Sequence, residues 1–188
     1  MEVVLVNSHD GTSRYELSLG AFRLACLNGM MVAEGLVEIV KIRHTGNVIQ
    51  EVLTATHNMI QRAPLVADAI RLWKGIELKQ SEALLLAQGA HRLRFEEGAN
   101  APSYEKLLQT RRREDNATDL WTTFNRIQEN VVNGGLRAYT KPTVNEETGR
   151  FIPARAIKTH AIKGIAENSK LNRELWTLAA EMAKIKTA

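Results

Sequence analysis

The hydrophobic pattern of this chain changes period near residue 47, and the change limits the fold classes open to it. Before residue 47, short apolar runs at residues 3–6 and 14–19 are rich in β-branched or alternating residues and are separated by turn residues. From Asn47 onward, apolar residues recur every three or four positions, which is the period of an α-helix. We therefore expect an α+β fold, with an N-terminal antiparallel β-sheet followed by a helical bundle packed on it.

The first two strand-like runs flank an Asp10-Gly11 pair. Asp-Gly between such runs predicts a tight β-hairpin, because the turn needs residues that tolerate positive φ. Residues 36–43 predict a further strand. The first strand begins almost at the N-terminus, so we expect it to be central, to pair with another subunit, or to be preceded by a further segment.

Helical periodicity predicts a first helix from Asn47 that Pro64 ends or kinks, and a short second helix at residues 65–73. Ser81 is the expected N-cap of a helix reaching residue 93, and Ser103 that of a helix at residues 104–113. One face of the first helix is shared by Ile49, Val52, Leu53, Thr56 and Ile60. The short second helix is indicated by Leu65, Ala69 and Leu72, and the inward residues of the third are predicted to be Leu86, Ala90 and Leu93.

Residues 119–136 predict the best-defined helix of the chain. Its apolar stripe follows helical spacing and consists of Leu120, Phe124, Ile127 and Val131. Asn125 and Gln128 flank the stripe, and we expect such amides, together with Asn130 and Asn172, to bind backbone groups of residues 140–165. Gly134 and Gly135 should end the helix, since glycine adopts positive φ readily.

Residues 141–153 contain two prolines, one glycine and four charged residues, which predicts an exposed loop or flap. A last amphipathic helix follows it. The expected domains are an α+β core at 1–140, an exposed basic loop at 141–165 and a C-terminal helix at 166–188 packed on the core. The inward face of that helix is predicted to be Leu171, Leu175, Leu178, Ala179, Met182 and Ile185.

Composition narrows the class of protein. A chain of 188 residues can bury one substantial core. No apolar run approaches the roughly 20 residues that span a bilayer, and no export signal is evident, so no membrane partner is expected. The single cysteine, Cys26, excludes an internal disulfide, fits the cytoplasm of a host cell and lies in an apolar run typical of an inert buried thiol.

Positive charge gathers towards the C-terminus. Residues 134–188 carry ten Lys and Arg against five acidic residues, within a net charge of +4 for the whole chain. Such asymmetry favours a polyanionic partner, although a solvated basic face is the alternative. Cations with an interspersed aromatic residue are typical of single-stranded DNA binding. The predicted nucleic-acid-binding residues are Arg111, Arg112, Arg113, Arg150, Phe151, Arg155, Lys158 and Lys163.

Signals for catalysis or metal binding are weak. His9-Asp10 lies in the predicted turn, where an imidazole beside a carboxylate would suit general-base chemistry, but the turn itself explains Asp10. His9, Asp10 and His44 have no tight metal-ligand spacing, and no nucleophile elbow or phosphate loop occurs. We expect no metal and no cofactor, and we name one candidate functional cluster, formed by His9, Asp10, His44, Asn125 and Gln128.

Several blocks of the sequence resemble a known family. They are VLVNSHDGTS at 4–13, GAFRLACLNG at 20–29, IRH at 42–44, DLWTTFN at 119–125 with QEN at 128–130, and KLNRELW at 170–176. Together they resemble the phage- and plasmid-associated family called domain of unknown function 932. The resemblance implies no activity and no catalytic residues. It implies a setting near replication and recombination genes, and an additional N-terminal segment in full-length members that this chain lacks.

The leading hypothesis is a non-enzymatic accessory protein of phage or plasmid DNA metabolism that binds DNA, more readily single-stranded, with a role in recombination or annealing. Homo-oligomers formed by strand pairing are part of this hypothesis. One alternative is a protein–protein module that inhibits or adapts a host defence factor. Another is a metal-dependent enzyme that uses His9, Asp10 and His44.

Overall fold

A computed structural model describes residues 2–6, 15–22, 29–31, 40–42, 48–96 and 100–188. Helices and small antiparallel sheets make up these residues, which confirms the α+β class. The chain divides into two compact units, one formed by Met1–Ile76 with Asn172–Ala188 and the other by Glu77–Leu171. The domain limits expected at residues 140 and 165 stay predictions.

The strands of the first unit are β1 (Glu2–Val6), β2 (Tyr15–Phe22), β3 (Gly29–Met31) and β4 (Val40–Ile42). β1 pairs with β2 in an antiparallel register that places Leu5 opposite Leu17. β2 also pairs antiparallel with β3 and β4. The Asp10-Gly11 turn predicted between β1 and β2 lies outside the described residues.

Helix α1 (Val48–Lys74) is a single helix of 27 residues that contains Pro64. The prediction of two helices separated at Pro64 is therefore wrong. Proline removes one backbone hydrogen bond from a helix, but side chains beyond it are firmly packed. Val66 and Trp73 are buried, and the Trp73 ring lies 4.3 Å from that of Trp176, centroid to centroid. This packing favours continuation of the helix.

The apolar face predicted for α1 is not its buried side. Ile49, Leu53 and Ile60 are 74%, 59% and 58% exposed, whereas Ala55, Val66 and Trp73 are buried. At roughly 100° per residue, these two sets lie on different sides of the helix. The helix thus has two apolar sides, and periodicity does not tell which one packs.

Helix α2 (Gln80–Arg94) opens the regular structure of the second unit. Its N-cap is Lys79 rather than the predicted Ser81, and the Lys79 backbone N–H donates to the Glu82 carboxylate at 2.7 Å. Leu86 and Ala90 are buried as predicted. Leu93 is 38% exposed, which corrects its inward assignment.

The segment predicted as an α-helix at 104–113 contains instead two short 3-10 helices, Tyr104–Leu108 and Arg113–Asp115. Helix α3 (Leu120–Asn133) follows. Then come strands β5 (Arg137–Tyr139), β6 (Thr143–Val144), β7 (Phe151–Ile152) and β8 (Ala156–Lys158).

Helix α4 (Ile165–Thr187) ends the chain. Leu171, Leu175, Ala179 and Met182 are buried as predicted, but Ile185 is 71% exposed because it belongs to the last turns of the helix. Among the described residues, no helix is both long enough and apolar enough to cross a membrane.

Candidate nucleic-acid interface

Helix α3 is the buried support of this region, and local signals in the sequence define both of its ends. The Asp119 carboxylate caps the helix by accepting from the Thr122 backbone N–H at 2.9 Å. The four residues of the predicted stripe are all buried. Gly134 and Gly135 follow the helix with φ of 62° and 78°, which confirms the expected positive φ.

Two amide side chains of α3, those of Asn125 and Asn130, bind backbone carbonyls outside residues 140–165. Asn125 donates to the carbonyl of Trp121 in its own helix at 2.6 Å. Asn130 donates to the carbonyls of Leu107 and Gln109 at 2.9 and 2.8 Å. These contacts correct the expectation for Asn125 and Asn130, because the two amides bind their own helix and the carbonyls in and just after the first 3-10 helix. The bonds expected from Gln128 and Asn172 to residues 140–165 stay a prediction. Gln128 is buried as well.

Two of the three consecutive arginines attach their segment to α3. Arg111 donates through Nε to the Asn130 Oδ1 at 2.7 Å, and through its guanidinium to the carbonyl of Gly134. Arg112 forms an ion pair with the buried Glu129 at 2.6 Å. Arg113 is exposed. Arg111 and Arg112 thus have structural partners already, and their proposed contact with DNA stays a prediction.

The chain after α3 is held against the chain that leads into α4. The Gly135 N–H donates to the Thr159 carbonyl at 2.8 Å, and the Thr159 N–H donates to the Leu136 carbonyl at 2.9 Å. The Ile162 N–H donates to the Val132 carbonyl at 2.9 Å. These bonds fix the base of the hairpin that residues 137–158 form.

Residues 137–158 are a two-stranded hairpin, which we call the ribbon. β5 pairs antiparallel with β8, from Arg137 opposite Lys158 to Tyr139 opposite Ala156. β6 pairs antiparallel with β7, with Val144 opposite Phe151. The residue numbers of facing pairs have the same sum in both ladders, so the register is constant along the ribbon. The segment expected to be a loop therefore contains β-strands, although most of its side chains are exposed.

Two prolines interrupt the ribbon. The register places Pro142 opposite Pro153, between the two ladders. Proline has no backbone N–H, so neither residue can donate a ladder hydrogen bond at this level. The Thr140 N–H still donates to the Arg155 carbonyl at 2.9 Å on one side of the break. The ladders resume at β6 and β7.

One face at the base of the ribbon combines cations with an aromatic ring. Alternate residues of a strand share a face, so Arg137 and Tyr139 lie on one side and the buried Ala138 on the other. Lys158 faces Arg137 across the ladder. Lys106 completes the group, since its amino group donates to the Arg137 carbonyl at 2.7 Å. We call Lys106, Arg137, Tyr139 and Lys158 the ribbon-base cluster.

Tyr139 is the centre of the ribbon-base cluster. Its side chain is 51% exposed. The Arg137 guanidinium lies 5.5 Å and the Lys106 Nζ 5.9 Å from the centre of its ring. Such distances allow cation–π attraction, which keeps the ring and the positive charges together on one exposed surface.

Four of the predicted DNA-binding cations lie on or beside the ribbon and are exposed: Arg150, Arg155, Lys158 and Lys163. Within the part of the chain that the structure describes, none of the four forms an ion pair. Phe151 is 63% exposed. The acidic residues Glu146 and Glu147 lie in the turn that connects β6 and β7, at the opposite end of the ribbon from the ribbon-base cluster.

Sequence reasoning missed Lys106 and Arg137. Lys106 precedes β5 by about thirty residues, and only the fold brings the two together. The sequence does contain a pattern that indicates a strand at Arg137, because Arg137 and Tyr139 alternate with the small apolar residue Ala138. The strand is only three residues long, which is too short for alternation alone to predict it.

Two ionisable groups near the site have shifted pKa values. Hydrogen bonds from its own backbone and then from the Ser103 hydroxyl lower the pKa of Glu105, so this exposed carboxylate stays ionised at neutral pH beside Lys106. Burial lowers the pKa of the Arg126 guanidinium, while the Asp115 and Asp119 carboxylates act in the opposite direction. Arg126 remains charged near neutrality, since the arginine pKa starts far above it.

Comparison with known proteins identifies relatives over almost the whole chain. The profile of the family described as "Domain of unknown function (DUF932)" matches residues 1–176. The chain belongs to the DUF932 family. Two proteins of Escherichia coli (strain K12), "UPF0380 protein YfjQ" and "UPF0380 protein YafZ", are each 34% identical to it over 178 residues.

The alignments with the two E. coli proteins cover 95% of this DUF932 chain and 61% of each relative. The chain thus spans about three fifths of the length of these curated relatives. No solved structure matches it significantly. The description of the family and the names of these two relatives state no activity.

The structure describes only some of the residues of this DUF932 chain that the sequence suggests for catalysis or metal binding. His9, Asp10, Cys26 and His44 lie outside the described residues, so the candidate cluster with Asn125 and Gln128 stays a prediction. Among the described residues, no group of three or more His, Cys, Asp and Glu side chains is arranged to hold a metal ion. His91 donates to the Pro102 carbonyl at 2.8 Å.

Proposed function

We propose that this DUF932 protein is a non-enzymatic accessory protein of phage or plasmid DNA metabolism that binds single-stranded DNA along the ribbon. The proposal includes a site of action in the host cytoplasm, a role in annealing or recombination, and an N-terminal sheet that supports the helices packed on it. The ribbon-base cluster is the observation that carries the proposal.

Phosphate binding is the first element of the proposal. Arg137 and Lys158 face each other across β5 and β8, and Lys106 lies beside them. None of the three is in an ion pair with an acid of the described chain. Unpaired cations on one surface attract a polyanion, and their binding to phosphates releases counterions.

Base stacking is the second element and favours single strands. The half-exposed ring of Tyr139 lies among the cations, and Phe151 is exposed further along the ribbon. Unpaired bases present their faces to aromatic side chains, whereas bases in a duplex are already stacked on each other. The ribbon-base surface with its exposed Tyr139 ring therefore suits single-stranded DNA of any sequence. Phe151 pairs with Val144 beyond the two prolines and is not part of that surface.

Removing the two cations that face each other at the base of the ribbon, Arg137 and Lys158, should weaken DNA binding and its dependence on salt. For Arg137→Ala/Lys158→Ala, we expect the slope of log K against log salt to fall by about 1.4 in magnitude, since each phosphate contact to a single strand contributes about 0.7. Fluorescence anisotropy with labelled oligonucleotides over a salt series measures this slope. The control Lys74→Ala/Arg92→Ala removes the same charge from exposed positions elsewhere and should leave the slope unchanged.

The outcome locates the interface. Equal slopes for the ribbon variant and its control would place the contact away from the ribbon-base cluster. Arg150→Ala/Arg155→Ala then tests the far part of the ribbon. No binding by the unaltered protein at low salt would overturn the whole proposal.

Tyr139 should contribute through its ring. Base–aromatic stacking contributes about 1–3 kcal/mol per base, so Tyr139→Ala should weaken single-strand binding by about tenfold or more without changing the salt slope. Tyr139→Phe keeps the ring and should bind nearly as well as the unaltered protein. If both substitutions weaken binding equally, the hydroxyl rather than the ring makes the contact.

A second function is favoured by the far end of the ribbon. Glu146 and Glu147 occupy its turn, and Val144 and Phe151 beside it are 54% and 63% exposed. Acidic and apolar groups together suit a protein surface better than a phosphate backbone. Under this alternative the protein would inhibit or adapt a host defence factor. A pull-down from host lysate that survives nuclease treatment and is abolished by Val144→Asp/Phe151→Asp would favour it over DNA binding.

The alternative of a metal-dependent enzyme that uses His9, Asp10 and His44 stays a prediction. Metal analysis of the purified protein tests it directly. A stoichiometric metal that is lost on His9→Ala/His44→Ala substitution would support it.

A further inference from the structure

The ribbon consists of two ordered halves separated by the facing prolines, and its outer half is held together by a well-bonded turn. The Asn145 N–H donates to the Arg150 carbonyl at 2.9 Å, and the Gly149 N–H donates to the Asn145 carbonyl at 2.8 Å. The side-chain oxygen of Asn145 also accepts from the Glu147 N–H at 3.0 Å. These bonds join the turn to β6 and β7 as one unit, residues 143–152, which we call the ribbon tip.

A break in the cross-strand bonding separates the ribbon tip from the base of the ribbon. On the base side of the break, the Thr140 N–H donates to the Arg155 carbonyl at 2.9 Å. The Arg155 N–H donates in return to the Thr140 hydroxyl at 2.9 Å. Neither Pro142 nor Pro153 has an N–H that could continue the ladder. Cross-strand bonds stiffen a two-stranded ribbon, so bending is easiest at this proline pair, which we call the hinge.

The base of the ribbon leaves one direction open for such bending. Ala138 is 2% exposed, so one face of β5 is covered within the second unit. Just before the hinge, the Lys141 N–H donates to the side-chain oxygen of Asn100 at 3.1 Å, which fixes the base in place. The opposite face carries the half-exposed Tyr139 and the rest of the ribbon-base cluster. A tip that bends towards this open face therefore moves over the cluster.

The positions of the charges match on the two sides of the hinge. Arg137 and Lys158 each lie five residues from the proline of their own arm, on the base side. Glu146 and Glu147 lie four and five residues beyond Pro142, on the tip side. Because the residues of a strand are evenly spaced, folding at the hinge brings the two glutamates level with the two cations.

Both sets of charges are available for this contact. Within the part of the chain that the structure describes, neither Glu146 nor Glu147 forms an ion pair, and nor do the cations of the ribbon-base cluster. The tip also carries one cation, Arg150, which lies three residues beyond the hinge, as Tyr139 lies three residues before it. Folding therefore brings Arg150 to an aromatic ring rather than to a like charge.

We propose that the ribbon tip folds back at the hinge and that Glu146 and Glu147 reversibly occupy the ribbon-base cluster. This inference rests on the proposed function, since it names a regulation of the same site: the two carboxylates compete there with the phosphates of single-stranded DNA. The structure shows the open form. The closed form is favoured at low salt, because salt screens the attraction between exposed charges.

Electron paramagnetic resonance distances in the DNA-free protein test the closure. Spin labels are attached to the cysteines of Thr148→Cys/Ala156→Cys, in a Cys26→Ala background that removes the single native cysteine. The labelled positions are eight residues apart in one arm, so an extended ribbon separates them by about 26 Å. A folded ribbon brings its two layers to about 10 Å from each other. We expect a short-distance population at low salt that disappears at high salt.

Removal of the two carboxylates tests the role of the charges. Glu146→Gln/Glu147→Gln should abolish the short-distance population at low salt. The matched control is Glu96→Gln/Glu114→Gln, which removes the same charge from exposed positions elsewhere in the second unit and should keep that population. A short distance that persists in Glu146→Gln/Glu147→Gln would exclude the glutamates as the occupants of the cluster.

Replacement of the two prolines tests the hinge with both glutamates in place. Pro142→Val/Pro153→Val supplies two N–H donors and two β-branched side chains that favour strands, so it should show only the long distance. A single long distance at every salt concentration, in the labelled protein that keeps the prolines and the glutamates, would overturn the proposal.

DNA binding measures the competition. At low salt, Glu146→Gln/Glu147→Gln should bind a labelled oligonucleotide about threefold more tightly than the unaltered protein, because two exposed ion pairs no longer hold the site closed. The gain should vanish at high salt, and the Glu96→Gln/Glu114→Gln control should bind like the unaltered protein. Closure without any gain in affinity would overturn the competition. If no variant binds DNA while closure is observed, the proposed function fails but the folding back of the tip is supported.

Discussion

Replacing Gly134 with alanine should destabilise the second unit by about 2–6 kcal/mol. A Cβ at this position would lie 2.6 Å from both the carbonyl carbon and the carbonyl oxygen of His160. These are backbone atoms, which cannot move aside as a flexible side chain can. The φ of 62° with ψ of −144° is a conformation that residues other than glycine adopt only at a cost of about 1–3 kcal/mol. Overpacking adds about 1–3 kcal/mol.

Gly135 provides the matched control for this substitution. It also has positive φ, but a Cβ there would meet no atom within 4 Å. Gly135→Ala should therefore cost only the conformational strain, about 1–2 kcal/mol. Urea unfolding followed by circular dichroism and tryptophan fluorescence measures both variants. Similar midpoints for the two would mean that the chain near His160 moves aside freely, contrary to the close approach described for it.

Replacing Asn130 with leucine should cost about 3 kcal/mol. The substitution keeps the size of the side chain but removes its bonds to the Leu107 and Gln109 carbonyls and to Arg111. Asn130 is 1% exposed, so water cannot readily replace those bonds. A buried polar group that loses its partner costs about 1–3 kcal/mol. The midpoint of urea unfolding should fall accordingly.

The control for Asn130 is Asn116→Ala, which removes an amide from an exposed position. It should change stability by less than about 0.5 kcal/mol. Asn130→Leu should also reduce DNA affinity, since Lys106 lies next to the segment that Asn130 holds. If Asn130→Leu unfolds at the same midpoint as the control, the hydrogen bonds to the two carbonyls do not stabilise the fold.

The sequence predicted α3 well because every signal for it is local. The cap Asp119, the apolar stripe and the glycine pair lie within one continuous segment, and each acts on the backbone next to it. The α+β class followed from the change in period for the same reason. Local physics was sufficient for these elements.

Helix α1 shows where such reasoning fails. Both of its sides carry apolar residues at helical spacing, so the pattern predicts a helix but not its orientation. Pro64 was read as a boundary from its intrinsic cost, whereas packing of Val66 and Trp73 beyond it favours continuation. Tertiary contacts overrode the local preference in both cases.

The candidate interface was predicted only in part. Arg150, Phe151, Arg155, Lys158 and Lys163 were named from charge and composition, and they lie on or beside the ribbon. The ribbon itself was missed because Pro142 and Pro153 are unusual in strands and typical of loops. Lys106 was missed because its position depends on Asn130 and Arg111, which are distant in sequence.

The constant pairing register along the two arms of the ribbon has an evolutionary consequence. Relatives can lengthen or shorten this hairpin by two residues in each arm, and every remaining side chain keeps its face, because side chains alternate with a period of two. A deletion in one arm alone would displace its partners by one position and turn their cations towards the opposite side. Length variation in this hairpin should therefore occur in balanced pairs, centred on the turn at residues 145–149.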